Sequence, residues 1–127
     1  MRVLLNVLWV IFGGGLVIAL EYAIGALILC VTLVGIPFGV QCFKIAGLGL
    51  WPFGQVVERR SSGAGCLSVA FNVLWCLVAG IWIFLSHLAL AAALAVTIIG
   101  IPFALQHLKL ALLALAPFGA EIREAPR

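Results

Sequence analysis

Polar positions are rare along this chain, and they leave two long apolar stretches. Residues 3–40 contain a single formal charge, at Glu21, and residues 61–108 contain none. Both stretches are far longer than the ~18 consecutive apolar residues that mark a candidate transmembrane segment. The pattern predicts an all-α membrane protein.

The two stretches carry the same landmarks in the same order. Asn-Val-Leu-Trp occurs at 6–9 and 72–75, a longer box runs over 32–44 and 97–109, and Pro-Phe-Gly follows at 52–54 and 117–119. The offset is 66 residues at the first landmark and 65 from the box onward, which indicates a single insertion or deletion between them. Recurrence of this kind predicts two tandem repeats of one structural unit.

A single helix over residues 3–40 would be about 57 Å long, nearly twice the ~30 Å hydrocarbon thickness. A turn is expected at Glu21-Tyr22, because a carboxylate at the bilayer centre costs at least ~3 kcal/mol. The matching polar pair in the second copy is Ser86-His87. Each repeat is therefore predicted to form a transmembrane helical hairpin, with four spans in total, over 3–20 and 23–36 and over 67–85 and 88–101.

Each hairpin is expected to end at a Gly-Ile-Pro break, because proline removes a backbone donor and clashes with the preceding turn. The threonine before it can bond a backbone group that the proline frees. The break residues are Thr32, Gly35 and Pro37, and Thr97, Gly100 and Pro102. The helices that follow, at 38–51 and 103–116, are about 21 Å long and too short to span alone. Each is predicted to be an interfacial or re-entrant helix.

The positive charges test this layout. With two spans per repeat, the lysines and arginines all fall on one side, which the positive-inside rule makes cytoplasmic, with both termini there. Three spans per repeat would leave Arg59 and Arg60 outside. The even count makes the repeats parallel, related by an axis along the membrane normal. The predicted boundaries are 1–57 for repeat 1, 58–65 for a cytoplasmic linker, 66–120 for repeat 2 and 121–127 for a polar tail.

Composition excludes several classes of protein. Only 9% of residues are charged and 66% are hydrophobic, with a mean hydropathy of +1.35. The net charge of +3 does not indicate nucleic-acid binding, since the arginines are scattered with no aromatic platform beside them. A cleaved signal peptide is disfavoured because the N-terminal run matches the segment beginning at Asn72. The four cysteines lack Cys-x-x-Cys spacing and are predicted to be reduced.

The most specific candidate site follows each proline, where Gln41 and Lys44 recur as Gln106 and Lys109. A helix that restarts at proline exposes unpaired N–H groups and the positive end of its dipole. One interpretation is an anion or lipid-phosphate site at a broken helix. The alternative is a proline kink that brings a snorkelling lysine to the lipid headgroups.

Other polar positions have structural and functional interpretations. Asn6 and Asn72 are expected to form hydrogen bonds across a helix interface. Glu21 and His87 are the candidate ionisable residues on the outer side, with either a proton-linked or gating role or a place in solvated turns.

No catalytic chemistry is indicated. Cys42 corresponds to His107, but such a pair lacks the three or four ligands that zinc needs, so no metal site is predicted. The sequence contains no Ser/His/Asp constellation, glycine-rich phosphate loop or paired catalytic carboxylates. We expect no cofactor and no enzymatic activity.

The duplicated Asn-x-Leu-Trp start, the Thr-(Leu/Ile)-(Val/Ile)-Gly-Ile-Pro-Phe box with its Gln and Lys, and the Pro-Phe-Gly close resemble the YccF family of small bacterial inner-membrane proteins. The resemblance covers nearly the whole chain. It implies an integral protein of the bacterial cytoplasmic membrane and carries no catalytic or ligand residue. The second copy departs from the box at Ala104 and at His107-Leu108.

Two functions follow from this layout. The first is a small homo-oligomeric channel or transporter-like protein in the lipid bilayer, with Lys44 and Lys109 near the cytoplasmic mouth. Four short spans enclose little volume, so conduction would require oligomerisation. The second is a non-transporting membrane protein that binds lipid or a protein partner through its in-plane helices.

Overall fold

The structure is a computed structural model that describes residues 1–59 and 65–126. In chain order the elements are α1 (Arg2–Phe12), α2 (Gly15–Val31), α3 (Ile36–Leu50), β1 (Gln55–Arg59), α4 (Cys66–Trp75), α5 (Ile81–Val96), α6 (Ile101–Leu115) and β2 (Ala120–Glu124). A π-helical turn, Cys76–Gly80, joins α4 to α5, and a 3-10 turn, Ile98–Gly100, precedes α6. Arg60, Arg127 and most of the predicted linker lie outside the described residues.

The described chain divides into two compact units. The first contains residues 1–56 and 122–126, and the second contains the described residues between Val57 and Glu121. Strands β1 and β2 are hydrogen-bonded neighbours in a two-stranded sheet. Each unit therefore contains part of both strands and its own set of helices.

In the first unit, α2 and α3 form an antiparallel hairpin. Gly39, near the start of α3, packs against Ala26 and Cys30 near the end of α2, and Gly49 packs against Ile18 near the start of α2. A Cβ atom on Gly49 would lie 2.9 Å from the Ile18 Cγ2 atom. Small residues at these positions allow the two backbones to approach closely, as is common between membrane helices.

In the second unit, α5 and α6 form the corresponding hairpin. Gly100 contacts Leu94 at one end of the pair, and Gly80 contacts Ala114 at the other. Ala104 is buried where the first hairpin has Gly39. The departure of the second copy at this position is therefore accommodated within the same kind of hairpin.

Both hairpins reverse direction at the Thr-x-x-Gly-Ile-Pro sequence. The Thr32 hydroxyl donates to the Leu29 carbonyl at 2.8 Å and accepts from the Gly35 N–H at 3.1 Å, and Thr97 makes the same two bonds at 2.8 and 3.2 Å. A Cβ atom at Gly35 would overlap the Leu29 carbonyl oxygen. Each proline lies in the first turn of the next helix, where its missing N–H is not needed.

The turns expected at Glu21-Tyr22 and Ser86-His87 are wrong, because these pairs lie inside α2 and α5. Glu21 is exposed on α2, about 9 Å along the helix from Gly15. The Ser86 hydroxyl donates to the Trp82 carbonyl at 2.9 Å, and His87 is bonded to His107. Glu21 reaches the helix surface, and Ser86 and His87 have hydrogen-bond partners. Neither polar pair therefore requires the helix to end.

The first unit instead bends by 72° between α1 and α2. Gly14 has φ of +81° at this bend, and Trp9 packs directly on Gly13 and Gly15. In the second unit Trp75 packs on Gly80, and the chain continues through the π-helical turn. The tryptophan and its glycine are six residues apart in the first unit and five in the second. The length difference between the two copies therefore lies here.

Among the described residues, two helices are long and apolar enough to cross a membrane. They are the 31 residues of Cys66–Val96 and the 18 residues of Ile98–Leu115. The bent pair Arg2–Phe12 and Gly15–Val31 is a third if it forms one broken span. The expected separate spans at 67–85 and 88–101 are wrong, since one continuous helix runs through the turn predicted between them. The four-span arrangement is therefore not confirmed, since the described residues contain two such helices, or three with the bent pair. The parallel orientation of the repeats stays a prediction.

The two strands were not predicted. Glu58 and Arg59, which the sequence assigned to the linker, lie in β1, and the first part of the predicted polar tail, 121–124, lies in β2. In β2, Ile122 lies between polar Glu121 and Arg123, which is the usual signal of a short half-buried strand, whereas β1 lacks this alternation because Val56 and Val57 are adjacent.

The contact between Trp9 and Gly15 generates a stability prediction. We expect Gly15→Ala to destabilise the protein by about 1–3 kcal/mol, because the new methyl overlaps the buried indole. Gly25→Ala in the same helix is the matched control, since nothing lies within 4 Å of its Cβ position. Thermal unfolding in detergent, followed by tryptophan fluorescence, measures both. Equal stability of the two variants would contradict the packing described.

Candidate functional site

In the first unit, Asn6 holds the backbone that follows α3. Its side-chain amide donates to the Phe53 carbonyl at 2.9 Å, and its oxygen accepts from the Phe53 N–H at 2.8 Å. The Trp9 indole N–H donates to the Gly49 carbonyl at 2.6 Å. Asn6 and Trp9 are fully buried. These bonds satisfy backbone groups at the end of α3 that the helix itself leaves unpaired.

The second unit repeats this arrangement. Asn72 makes both bonds with the Phe118 backbone at 2.9 Å, and the Trp75 indole donates to the Ala114 carbonyl at 2.6 Å. The Phe71 and Phe118 rings pack with centroids 5.3 Å apart. We call each Asn and Trp pair, Asn6 with Trp9 and Asn72 with Trp75, an Asn-Trp clasp.

The Pro-Phe-Gly sequence supplies what each clasp binds. Pro52 and Pro117 follow the helix ends and are fully buried, and the phenylalanine backbone bonds the asparagine. Gly54 has φ of +91°, a conformation that suits glycine because it has no Cβ. The sequence predicted that Asn6 and Asn72 would bond across a helix interface, whereas each bonds a segment beyond a helix. The recurrence of Pro-Phe-Gly was the signal that could have identified this partner.

The candidate ligand residues lie in the middle of α3 and α6. Lys44 and Lys109 are half-buried, and each lies about 10 Å along the helix from its proline. The structure thus separates the lysines from the first-turn N–H groups of the same helices. Gln41 and Gln106 are also half-buried, and the side-chain oxygen of each is buried without a hydrogen-bond partner.

His87 and His107 form a buried pair between α5 and α6. Their Nδ1 atoms are 3.0 Å apart, and the side chains are 4% and 2% exposed. One ring must donate and the other accept, so the two Nδ1 atoms are in opposite protonation states. Tyr22 and Cys42 occupy the corresponding positions in the first unit. A pair that can share one proton in the second unit is thus replaced by different polar groups in the first.

The remaining chemistry-bearing groups are dispersed. None of the four cysteines, all within described ranges, forms a disulfide. In residues 1–59 and 65–126 there is no group of three or more His, Cys, Asp or Glu side chains able to hold a metal ion.

A cavity of about 530 Å³ opens in the first unit near the polar end of the hairpin. Its lining residues are Met1, Arg2, Val3, Trp51, Phe53, Gly54, Gln55 and Glu124. The Arg2 guanidinium beside it donates to the carbonyls of Ala125 and Pro126 at 3.2 and 2.9 Å. Gln41 and Lys44 do not line this cavity, so the predicted ligand residues and the cavity are separate features.

Comparison with known proteins identifies the family. The model of YccF, described as an inner membrane component domain, matches residues 4–55 and 70–120, so each match contains one Asn-Trp clasp and its Pro-Phe-Gly sequence. The chain belongs to the YccF family. The inner membrane protein YccF of Escherichia coli (strain K12) and that of Shigella flexneri are each 31% identical to it over 130 residues, covering 96% of this chain and 87% of the relative. No solved structure matches.

Membership of the YccF family confirms the resemblance seen in the sequence. The YccF relatives are inner-membrane proteins by name, which agrees with the apolar helices and supports an integral inner-membrane protein. The names state no activity, so the YccF match adds no catalytic or ligand residue.

The histidine pair generates a second prediction. His87→Phe and His107→Phe should each destabilise the protein, because each leaves a buried ring nitrogen without its present partner, at a cost of about 1–3 kcal/mol. The double variant should cost less than the sum, with a coupling of about 0.5 kcal/mol or more. SDS titration in mixed micelles measures the four free energies. Ser86→Ala is the control, since its hydroxyl bonds its own helix, and additive effects of the two histidines would exclude the pairing.

Proposed function

We propose that this YccF-family protein is a small homo-oligomeric channel or transporter-like protein. Gln41 and Lys44 on α3, and Gln106 and Lys109 on α6, line its polar path. The proposal involves no catalytic step and no cofactor. Both termini are on the cytoplasmic side, in accord with the positive-inside rule.

The observation that carries this proposal is the pair of unsatisfied amide oxygens at Gln41 and Gln106. Leaving a buried polar atom without a hydrogen bond costs about 1–3 kcal/mol. Gln41 and Gln106 occupy matched positions in the two units, and each lies one turn before a lysine, so this cost occurs in both units. A rotation of each amide to the helix surface would bring these oxygens within reach of a donor from a second copy of the chain, or from a polar solute between copies.

The lysines support the same interpretation. An ionisable residue inside an otherwise apolar membrane helix is a functional candidate by default, because its presence there is costly. Lys44 and Lys109 are both half-buried and occupy the same place in their helices. A lysine ammonium group near a glutamine amide oxygen can contact anionic or dipolar solutes in the path.

Close packing within each hairpin supports an oligomer. Gly39 and Gly49 bring α2 and α3 together so closely that a methyl group at either position would overlap the other helix. A path lined by α3 and α6 would therefore be formed between copies.

A second function is favoured by a different observation. The hairpin turns carry exposed aliphatic side chains, including Leu33 and Ile99 at 85% and 89% exposure. A polar path along α3 or α6 would meet these apolar turns at one end. This feature favours a non-transporting membrane protein that binds lipid or a protein partner.

Flux measurements separate the two functions. We expect purified protein in liposomes to pass chloride or phosphate down a gradient, and Lys44→Ala with Lys109→Ala to reduce that flux at least about tenfold, as for removal of an intramembrane charge that contacts the solute. Lys44→Arg with Lys109→Arg is the matched control, since it keeps both charges and should retain most of the flux. Potassium and sodium gradients test cation passage in the same vesicles.

The oligomeric state is measured on the same preparation by light scattering in mild detergent. Absence of flux for all four ions, together with a strict monomer, would contradict the channel and favour the lipid- or partner-binding function. Flux that is unchanged in the alanine variant would exclude the proposed path.

A further inference from the structure

We propose that the cavity at the polar end of the first unit binds the headgroup of a phospholipid that carries both a phosphate and a primary ammonium group. One basic side chain, Arg2, and one acidic side chain, Glu124, line this cavity together with Trp51. In this arrangement Arg2 binds the phosphate, and Glu124 and Trp51 bind the ammonium group. We call the cavity the headgroup pocket.

The volume of the headgroup pocket suits an organic ligand better than a bare ion. It is about 530 Å³, which is within the ~300–1,000 Å³ that is typical of small-molecule sites. A phosphate ion would leave most of this space empty, whereas a phosphate ester of an amino alcohol fills more of it. The pocket therefore has room for a ligand with two charged groups.

Arg2 is held at the pocket by the chain that follows β2. Its Nη1 atom donates to the Ala125 carbonyl at 3.2 Å, and its Nη2 atom donates to the Pro126 carbonyl at 2.9 Å. Its side chain lies against Gly54, where a Cβ atom would be 2.9 Å from the Arg2 Cδ atom. A guanidinium has further N–H donors besides these two, in a rigid planar arrangement that matches phosphate oxygens. Arg2 is therefore positioned by the protein and can still bind an anion.

Glu124 supplies the negative charge of the pocket. It is the last residue of β2 and is exposed. Within residues 1–59 and 65–126, its carboxylate forms no ion pair, so it does not neutralise Arg2. Two opposite charges that line one cavity without pairing are complementary to a zwitterion, whereas Glu124 would repel a headgroup that carries only negative charge.

The apolar part of the lining favours a lipid as the source of the headgroup. Trp51 directly follows α3 and is 39% exposed, and Met1 and Val3 at the start of α1 are exposed as well. Tryptophan is common at the boundary between lipid and water, and its ring face attracts ammonium groups. Val7 and Ile11 continue the exposed apolar surface along α1. The acyl chains of a bound lipid can contact this surface while its headgroup is in the pocket.

The second unit forms the same Asn-Trp clasp without the groups that line the headgroup pocket. At the positions that correspond to Arg2, Trp51 and Glu124, it has Ser68, Ala116 and Arg59. The repeated fold therefore does not require an arginine, a tryptophan and a carboxylate at these places. Their presence together in the first unit points to a role other than folding.

Native mass spectrometry of the full chain measures the headgroup preference. The delipidated protein in detergent micelles is titrated with short-chain phosphatidylethanolamine, phosphatidylglycerol and phosphatidylcholine. Phosphatidylglycerol lacks the ammonium group, and the ammonium group of phosphatidylcholine has no N–H donor. We expect phosphatidylethanolamine to bind about tenfold more tightly or better than either, because it alone can donate a charged hydrogen bond to Glu124.

Charge variants assign the two ends of the headgroup. Glu124→Gln should abolish the preference for phosphatidylethanolamine over phosphatidylglycerol without weakening the binding of phosphatidylglycerol, because only the ammonium group loses its partner. Arg2→Gln should weaken the binding of both lipids about tenfold or more, because both lose the contact to phosphate. Arg123→Gln is the matched control, since Arg123 is an exposed neighbour of Glu124 that does not line the pocket.

An aromatic variant tests the third lining group. Trp51→Ala, which introduces the residue that the second unit has at this place, should weaken the binding of phosphatidylethanolamine severalfold. Trp82→Ala is the matched control, because Trp82 is an exposed tryptophan of α5 outside the pocket and its loss should leave the affinity unchanged.

Three outcomes would overturn the proposal. Equal affinity of the native chain for phosphatidylethanolamine and phosphatidylglycerol would exclude the zwitterion, and a preference that survives Glu124→Gln would exclude this pocket. Glu124→Gln keeps the test decisive even if Arg2→Gln fails to fold, since Glu124 forms no ion pair within the described residues. Binding of glycerophosphoethanolamine, which has the same headgroup without acyl chains, as tightly as the lipid would exclude a lipid as the source. The proposal does not rest on transport, so its outcome is separable from the flux measurements.

Discussion

The backbone groups at the ends of the post-proline helices, α3 and α6, need hydrogen-bond partners that the helices themselves do not supply. The rest of each unit depends on which residues supply them. The last carbonyls of a helix have no partner within it, and a proline immediately beyond cannot donate. Asn6 and Trp9 supply the missing bonds to Phe53 and Gly49. Because these partners are 47 and 40 positions away along the chain, the clasp also fixes where α1 lies against α3.

The same constraint acts at the other end of the post-proline helices. There a threonine hydroxyl takes the role of donor and acceptor, and the following glycine allows the chain to pass close to the preceding carbonyl. The residues that recur in the two copies are therefore mainly those that satisfy backbone groups: Thr, Gly and Pro at the turn, and Asn, Trp and Pro-Phe-Gly at the clasp. An unpaired backbone group is costly in lipid. Because both copies have the residues that pair these groups, both form the same hairpin.

The sequence predicted the membrane, the family and the residues at which the helices break, because apolar length and proline chemistry are local signals. It misplaced the turns at Glu21-Tyr22 and Ser86-His87, because a polar pair inside a helix does not require the helix to end in water. His87 meets its need 20 positions away at His107, and no local pattern indicates such a partner. The bend at Gly14 was missed because three consecutive glycines also suit close helix packing, and only the positive φ distinguishes the two.

The candidate site was predictable in composition but not in geometry. Gln41 and Lys44 stood out because they recur, yet their distance from the first turn of α3 and the buried amide oxygen depend on the packing of α2 against α3.

The most direct test of the account is the stability of clasp variants. Asn6→Leu and Asn72→Leu should each lower the free energy of unfolding in mixed micelles by about 2 kcal/mol or more, since each leaves two backbone groups of a phenylalanine without their partner. Val7→Ala, at a 42% exposed position of the same helix, is the control. Losses below about 0.5 kcal/mol, the range of ordinary surface substitutions, would contradict the claim that each clasp stabilises its own unit.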